Sequence, residues 1–167
     1  LGTSITAYGV ALDIDDFNGT VGGNISGTSD LADLEAQANM ITEWFPDATK
    51  VGLLFCSAEP NSRYQIGEVA KCLSDKGIET KEFAFTDTND VASVTQSAAD
   101  YSDVVYVPTA NPAASNTEAI ATVLVPAGEA DISEMPIEFT EATPKYNASM
   151  CETLGIEPLE GYTAIEE

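Results

Sequence analysis

Two short, nearly continuous apolar runs constrain this chain more than any other feature: Val51-Gly52-Leu53-Leu54-Phe55-Cys56 and Val104-Val105-Tyr106-Val107. A strand that is apolar at successive positions has to be covered on both faces, which is the situation of a parallel sheet between two helical layers. The flanking segments supply the helices. Asp30 is placed to cap a helix whose apolar positions Leu31, Leu34, Ala38, Ile41 and Phe45 recur at helical spacing, and Pro46-Asp47-Ala48 ends it. A second helix is expected from Ser62 to Lys76, with Ile66, Val69, Ala70 and Leu73 on one face and Gly77 as its stop. Glu79 to Phe85 alternates like a strand, with Phe83 and Phe85 on one face, and Asp87 to Tyr101 reads as a helix through Val91, Val94 and Ala98. Pro108-Thr109-Ala110-Asn111 then turns into a helix from Ala113 to Leu124. This alternation predicts an α/β fold, an open and mainly parallel sheet with helices on both faces. Ligands of such folds bind at the carboxyl ends of the strands, which singles out the loops Cys56 to Ser62 and Pro108 to Asn111.

The rhythm holds from residue 1 to 128 and breaks after Gly128, dividing the chain into 1–128 and 129–167. The second part is acid-rich with Lys145 as its cation, and within it Pro136 to Thr140 reads as a strand and Asn147 to Leu154 as a helix ending at Gly155. The first thirty residues are rich in Gly, Thr, Ser and Asn, a loop composition with several positions suited to positive φ. Leu1-Gly2-Thr3 reads as the middle of a strand and carries no charged leader, so the sequence is expected to be a fragment whose targeting signal lay upstream.

Charge narrows the partners. Six Lys and Arg stand against 28 Asp and Glu, a formal charge of −22, and there is no His. Such a surface repels phosphate backbones, so nucleic acid and anionic membranes are poor partners. Without His there is no Ser-His or Cys-His dyad, no His-ligated zinc and no imidazole base. Cys56, Cys72 and Cys151 fit neither a disulfide framework nor a zinc ribbon and read as structural thiols. No apolar run approaches the ~20 residues that span a bilayer.

Three groups of residues could carry chemistry. Cys56 and Arg63 sit in the order of a low-molecular-weight phosphotyrosine phosphatase, a Cys at a strand end followed by a phosphate loop and an Arg at the helix start. Here the two are one residue further apart than in that pattern, and Glu59 would face the phosphate. Asp13, Asp15 and Asp16 superficially resemble a calcium loop, but Phe17 follows and no Glu closes it at the needed distance. Ser57, Asn61 and Ser62, with Thr109 and Asn111, could instead hold a carboxylate at helix N-termini through hydroxyls and backbone N–H groups, or Asn61 and Asn111 could simply cap helices.

Four blocks in order carry a family resemblance: Ile25-Ser26-Gly27-Thr28-Ser29-Asp30, Phe45-Pro46-Asp47-Ala48-Thr49-Lys50-Val51-Gly52, Glu59-Pro60-Asn61-Ser62 and Tyr106-Val107-Pro108-Thr109-Ala110-Asn111. From Leu1 to Ala127 the chain is similar to the substrate-binding proteins of ABC transporters of the tryptophan- or tyrosine-binding type, and the tail resembles that family's closing hinge strand and last helix. The resemblance implies a two-lobed receptor with the fold of the leucine/isoleucine/valine-binding protein, a type I periplasmic binding protein, closing on an amino acid. Residues 1–128 would be the second lobe, and 129–167 would cross the hinge and return to a first lobe absent from this sequence. A segment of two strands and a helix that the family carries between Gly128 and Glu129 is absent too. The resemblance further implies an extracytoplasmic, monomeric cell-surface lipoprotein that partners the membrane subunits of an ABC importer, with no catalytic residue, metal or cofactor. Carried over position by position, the ligand residues are Ser4, Thr6, Ser29, Asp30, Glu59, Asn61, Ser62, Thr109 and Asn111. The family usually has Asp between Thr109 and Asn111, suited to an amino group, whereas this chain has Ala110. The competing readings are the phosphatase-like enzyme using Cys56 and the ligand-sensing domain of a cytoplasmic repressor, which shares the fold.

Overall fold

The computed structural model describes residues 1–3, 5–127, 145–146, 148, 157 and 163–164. It divides into two compact units, Leu1–Ala130 and Asp131–Glu167. The first unit is built on three parallel strands, β1 (Lys50–Cys56), β2 (Glu79–Phe85) and β3 (Val104–Tyr106), in the order β2-β1-β3. Val51 of the central strand pairs with Thr80 on one side and Val104 on the other. The register explains the apolar run: β1 is the middle strand, so both of its faces meet helices. Val51, Leu53 and Phe55 pack on one face with Leu34, Ala38 and Ile41 of α2 (Leu34–Trp44) and Ile66, Val69 and Leu73 of α3 (Pro60–Asp75). Leu54 and Cys56 pack on the other face with Val91 and Ala98 of α4 (Val91–Tyr101), Ala113 of α5 (Asn111–Ser115) and Ile120 of α6 (Thr117–Ala127). Each fully buried Leu, Ile or Phe contributes about 1.5–3 kcal/mol. The edge strand β2 buries only Phe83 and Phe85, at alternate positions, as its sequence predicts.

The local differences from expectation have physical causes. Helix α2 starts three residues later than expected because Asp33, not Asp30, caps it, its carboxylate accepting the Ala36 N–H at 2.9 Å. Helix α3 starts at Pro60, whose ring presets a first-turn φ and whose missing N–H is no loss there. The expected helix from Ala113 is two helices. Asn116 ends α5 by donating its Nδ2 to the Pro112 carbonyl at 2.7 Å, and its own carbonyl accepts the Ile120 N–H of α6.

Before α2 the chain is mostly irregular, apart from α1 (Tyr8–Ala11), with positive φ at Gly19, Gly22, Gly23, Asp13 and Asp16. Its start is an extended segment with a single parallel bridge, Gly2 to Gly27. The Gly2 N–H donates to the Ser26 carbonyl at 2.8 Å, and the Thr28 N–H to the Gly2 carbonyl at 3.1 Å. A side chain at Gly27 would collide with the Gly2 backbone and the Tyr8 hydroxyl, so glycine is required by close approach. In the second unit β4 (Lys145–Tyr146) pairs in parallel with β5 (Thr163–Ala164). The expected strand at 136–140 and, but for Ala148, the expected helix at 147–154 lie outside the described residues. No helix among the described residues is long and apolar enough to cross a membrane.

Candidate functional site

Strand order β2-β1-β3 puts a topological switch at the carboxyl ends of β1 and β3. The chain leaves β1 into α3 on one face and leaves β3 into α5 and α6 on the other. Diverging loops open a crevice at such a point. A cavity of about 220 Å³ lies there, lined by Thr6, Asp30, Ala58, Glu59, Pro60, Asn61, Thr109, Ala110 and Asn111. Four chain segments converge on it. Thr6 and Asp30 come from the two sides of the Gly2–Gly27 bridge, Glu59 and Asn61 from the first turn of α3, and Thr109 and Asn111 from the turn after β3.

The other expected site residues lie elsewhere. Ser4 is outside the described residues. Ser29 is a staple: its Oγ donates to the Thr6 carbonyl at 2.8 Å and accepts the Leu31 N–H at 3.1 Å, fixing the segments that carry Thr6 and Asp30. It lines a neighbouring cavity of about 320 Å³ with Tyr8, Phe17, Leu31 and Tyr64, and Thr6 borders both cavities. Ser62 does not line the acidic cavity. It is fully buried, and its Oγ donates to Glu59 Oε2 at 2.9 Å. Ser57 is also committed, its Oγ donating to the Phe85 carbonyl at 3.3 Å.

These placements correct the expected chemistry of the α3 N-terminus. A carboxylate is favoured at a helix N-terminus, and Glu59 supplies one from the chain itself, so a ligand carboxylate would meet that charge. Neither does Asn61 act as a cap. Glu59 is the N-cap residue, and Asn61 Oδ1 is buried with no hydrogen-bond partner. Leaving a buried acceptor unpaired costs about 1–3 kcal/mol. The cavity is lined by two carboxyl residues, Asp30 and Glu59, by Asn61 and by the hydroxyl residues Thr6 and Thr109, with neither Lys nor Arg among its lining residues. Carboxyl groups with no neighbouring cation suit a cationic donor better than a second anion. Ala110 leaves the Thr109 loop without a carboxyl group of its own, and the acids of the other segments stand across the cavity.

The residue missed by sequence reasoning is Gln65. It is 1% exposed. Its Nε2 donates to the Thr109 carbonyl at 3.0 Å and to the Asn61 carbonyl at 3.3 Å, and its Oε1 accepts the Thr109 N–H at 3.2 Å. The signal was a Gln on the apolar face of α3, one residue before Ile66.

The phosphatase geometry is absent. Cys56 is buried with Leu54, Phe85 and Val91 on the α4 face of the sheet. The Arg63 guanidinium lies 5.1 Å from the centroid of the Phe55 ring and 3.9 Å from Glu82 on β2. Nucleophile and cation do not meet at a common cradle. Among the described residues no cluster of His, Cys, Asp and Glu could hold a metal ion.

Comparison with known proteins agrees with the fold. Residues 3–143 match the family described as ABC transporter substrate binding protein. The chain is 30% identical over 90 residues to a tyrosine-binding protein of Clostridioides difficile (strain R20291), a stretch that is 54% of this chain and 26% of that protein. Among solved structures, a conserved domain protein from Vibrio cholerae O1 biovar eltor superposes with a TM-score of 0.67 at 27% identity, over 75% of this chain and 42% of that one. The ABC domain from Streptococcus pneumonia in complex with L-Trp superposes with a TM-score of 0.65 at 20% identity, over 97% of this chain and 72% of that one. A ligand-free, open substrate binding protein with adhesive properties from Clostridium difficile gives a TM-score of 0.61 at 20% identity, over 98% and 70%.

Proposed function

Since the chain belongs to the family of ABC transporter substrate-binding proteins, we propose that it is part of an extracytoplasmic receptor that delivers an amino acid, aromatic in preference, to an ABC importer. The observation that carries this reading is the cavity at the switch point, whose lining residues include Asp30, Glu59 and Asn61 and neither Lys nor Arg. An ammonium group set among these acceptors would satisfy Asn61 and neutralise part of the local charge. Charge-assisted hydrogen bonds of this kind are roughly twice as strong as neutral ones. Thr6, Thr109 and Asn111 complete the ligand's surroundings in this lobe, with Ser29 and Ser62 beside them, and Ser4 is a ligand residue on the family resemblance alone. The ligand's carboxylate is then left for the opposite lobe. The tyrosine-binding relative supports the aromatic preference.

In this account residues 1–128 are one lobe of a two-lobed, monomeric protein held at the cell surface as a lipoprotein, and 129–167 cross the hinge. Closing the lobes on the ligand stabilises the closed state by whatever contacts it adds over the open one. The receptor catalyses no reaction and needs no cofactor. The repressor reading rests on the fold alone.

Isothermal titration calorimetry of the complete protein against L-tyrosine, L-tryptophan, a sugar panel and nucleobases tests the proposal. Binding of L-tyrosine or L-tryptophan is expected. Binding confined to sugars or nucleobases would overturn it.

A further inference from the structure

Diverging loops at a switch point open a crevice, and they also leave its two walls with no backbone pairing between them. The Thr109 turn follows β3 and the Asn61 turn follows β1, and the helices after them pack on opposite faces of the sheet. One buried side chain crosses this divide. The Gln65 amide meets the Thr109 peptide with both of its groups, donating to the carbonyl at 3.0 Å and accepting from the N–H at 3.2 Å, as a neighbouring strand would. Its second N–H donates to the Asn61 carbonyl at 3.3 Å. A primary amide has two N–H donors and an acceptor oxygen, and all three are used within the protein, so Gln65 has no donor left for a ligand. Only a side chain with a donor and an acceptor on one planar group can do this. Glutamate lacks the donor, and methionine lacks both.

We propose that Gln65 is a positioning residue of the ligand site, a clamp that fixes the Thr109 turn against the first turn of α3 and so sets the spacing between Thr109 and Asn61 across the cavity. This inference rests on the reading of that cavity as the ligand site. A preorganised site spends less binding energy on ordering its own loops. Loss of the clamp therefore weakens ligand binding through a residue that does not line the cavity.

The test uses the complete protein with Gln65→Met and Gln65→Glu, read by hydrogen–deuterium exchange of the ligand-free protein and by calorimetry with L-tyrosine. Gln65→Met is expected to speed exchange of the Thr109 amide by tenfold or more and to weaken L-tyrosine binding by about tenfold, at temperatures well below its melting transition. Gln65→Glu provides a signature that mere packing would not give. Ionised, its carboxylate faces the Thr109 and Asn61 carbonyls with no hydrogen to offer. Protonated, it regains a donor for the Thr109 carbonyl. Its affinity relative to wild type should recover as pH falls, while Gln65→Met stays weak at every pH. Asp30 and Glu59 are common to all three proteins, so the ratio of variant to wild type isolates residue 65. Unchanged Thr109 exchange in both variants would overturn the clamp, as would a Gln65→Glu deficit that does not vary with pH. If Gln65→Met does not fold, Gln65→Glu decides alone. Should wild type bind only sugars or nucleobases, the functional reading fails, and exchange at Thr109 still judges the clamp.

Discussion

The two ends of the three-stranded sheet use their polar groups in opposite ways. At the amino end Asp103 Oδ2 accepts the Thr49 N–H at 2.8 Å, the Lys50 N–H at 3.0 Å and the Thr49 hydroxyl at 3.1 Å. The Asp103 N–H in turn donates to the Lys50 carbonyl at 3.0 Å. At the carboxyl end Asn61 Oδ1 is buried and accepts nothing, and Asn61 shares the lining of the cavity with Asp30 and Glu59. Both ends hold an acceptor near the start of a regular element. One is saturated by the chain's own backbone and ties β3 to β1. The other has no partner among the described residues. An unmet acceptor persists only where the rest of the fold outweighs its cost, and on the proposed reading this contrast distinguishes the binding end.

The largest effect should come from reversing the charge of the receiving end. Glu59→Lys removes an acceptor of the cationic group and adds repulsion. Loss of a bond to a charged group costs about 1.5–3 kcal/mol, so L-tyrosine affinity should fall by about a hundredfold or more in calorimetry. Next is Gly27→Ala. Overpacking costs about 1–3 kcal/mol, and here the added methyl group meets the Gly2 backbone, so denaturant unfolding should show a loss of that size. Because the same bridge carries Thr6 and Asp30, affinity should fall with it.

Asp103→Ala should do the reverse of Glu59→Lys, lowering the melting temperature while leaving affinity intact. Hydrogen bonds from the Thr49 and Lys50 N–H groups hold the Asp103 carboxyl below its usual value of 3.8. Its contribution is thus present above that pH and lost as pH falls through the lower folded value. Asp103→Asn should flatten that part of the acid limb of a stability–pH curve. The smallest effect is expected at Tyr106, whose hydroxyl donates to Gln37 Oε1 at 2.7 Å and is pushed by burial up to about 12. Stability from this group is complete below the ordinary tyrosine value of 10.0 and declines as pH rises toward the folded value. Tyr106→Phe should cost about 0.5–1.5 kcal/mol at neutral pH and remove that alkaline decline.

The sheet was legible because its pattern is set by burial alone: a central strand between two helical layers has to be apolar where it is buried, and β1 is so from Val51 to Cys56. The helix starts were less so: Leu31 fits the apolar spacing and packs on the same core, yet it is Asp33 whose carboxylate accepts the Ala36 N–H, and the helix begins at Leu34. At the site, six of the expected residues, from segments as distant as Thr6 and Asn111, line one cavity, since strand-end loops converge in any fold of this class. Their roles were not legible. Nothing in Glu59-Pro60-Asn61-Ser62 says that the serine hydroxyl turns inward to the glutamate, which converts an apparent carboxylate site into an acidic wall. Gln65 was invisible for a similar reason, its partner Thr109 being 44 residues away.

The central claim is that this lobe receives the ligand's ammonium through Asn61 and its acidic neighbours. Calorimetry of the complete protein with L-tyrosine and with its desamino analogue, 3-(4-hydroxyphenyl)propionate, tests it on wild type and Asn61→Ala. The account predicts that Asn61→Ala weakens L-tyrosine binding by about tenfold to a hundredfold, the factor for about 1.5–3 kcal/mol. The desamino analogue should bind both proteins equally and the melting temperature should not fall. Equal weakening of the two ligands, or a lower melting temperature with no change in L-tyrosine affinity, would contradict it.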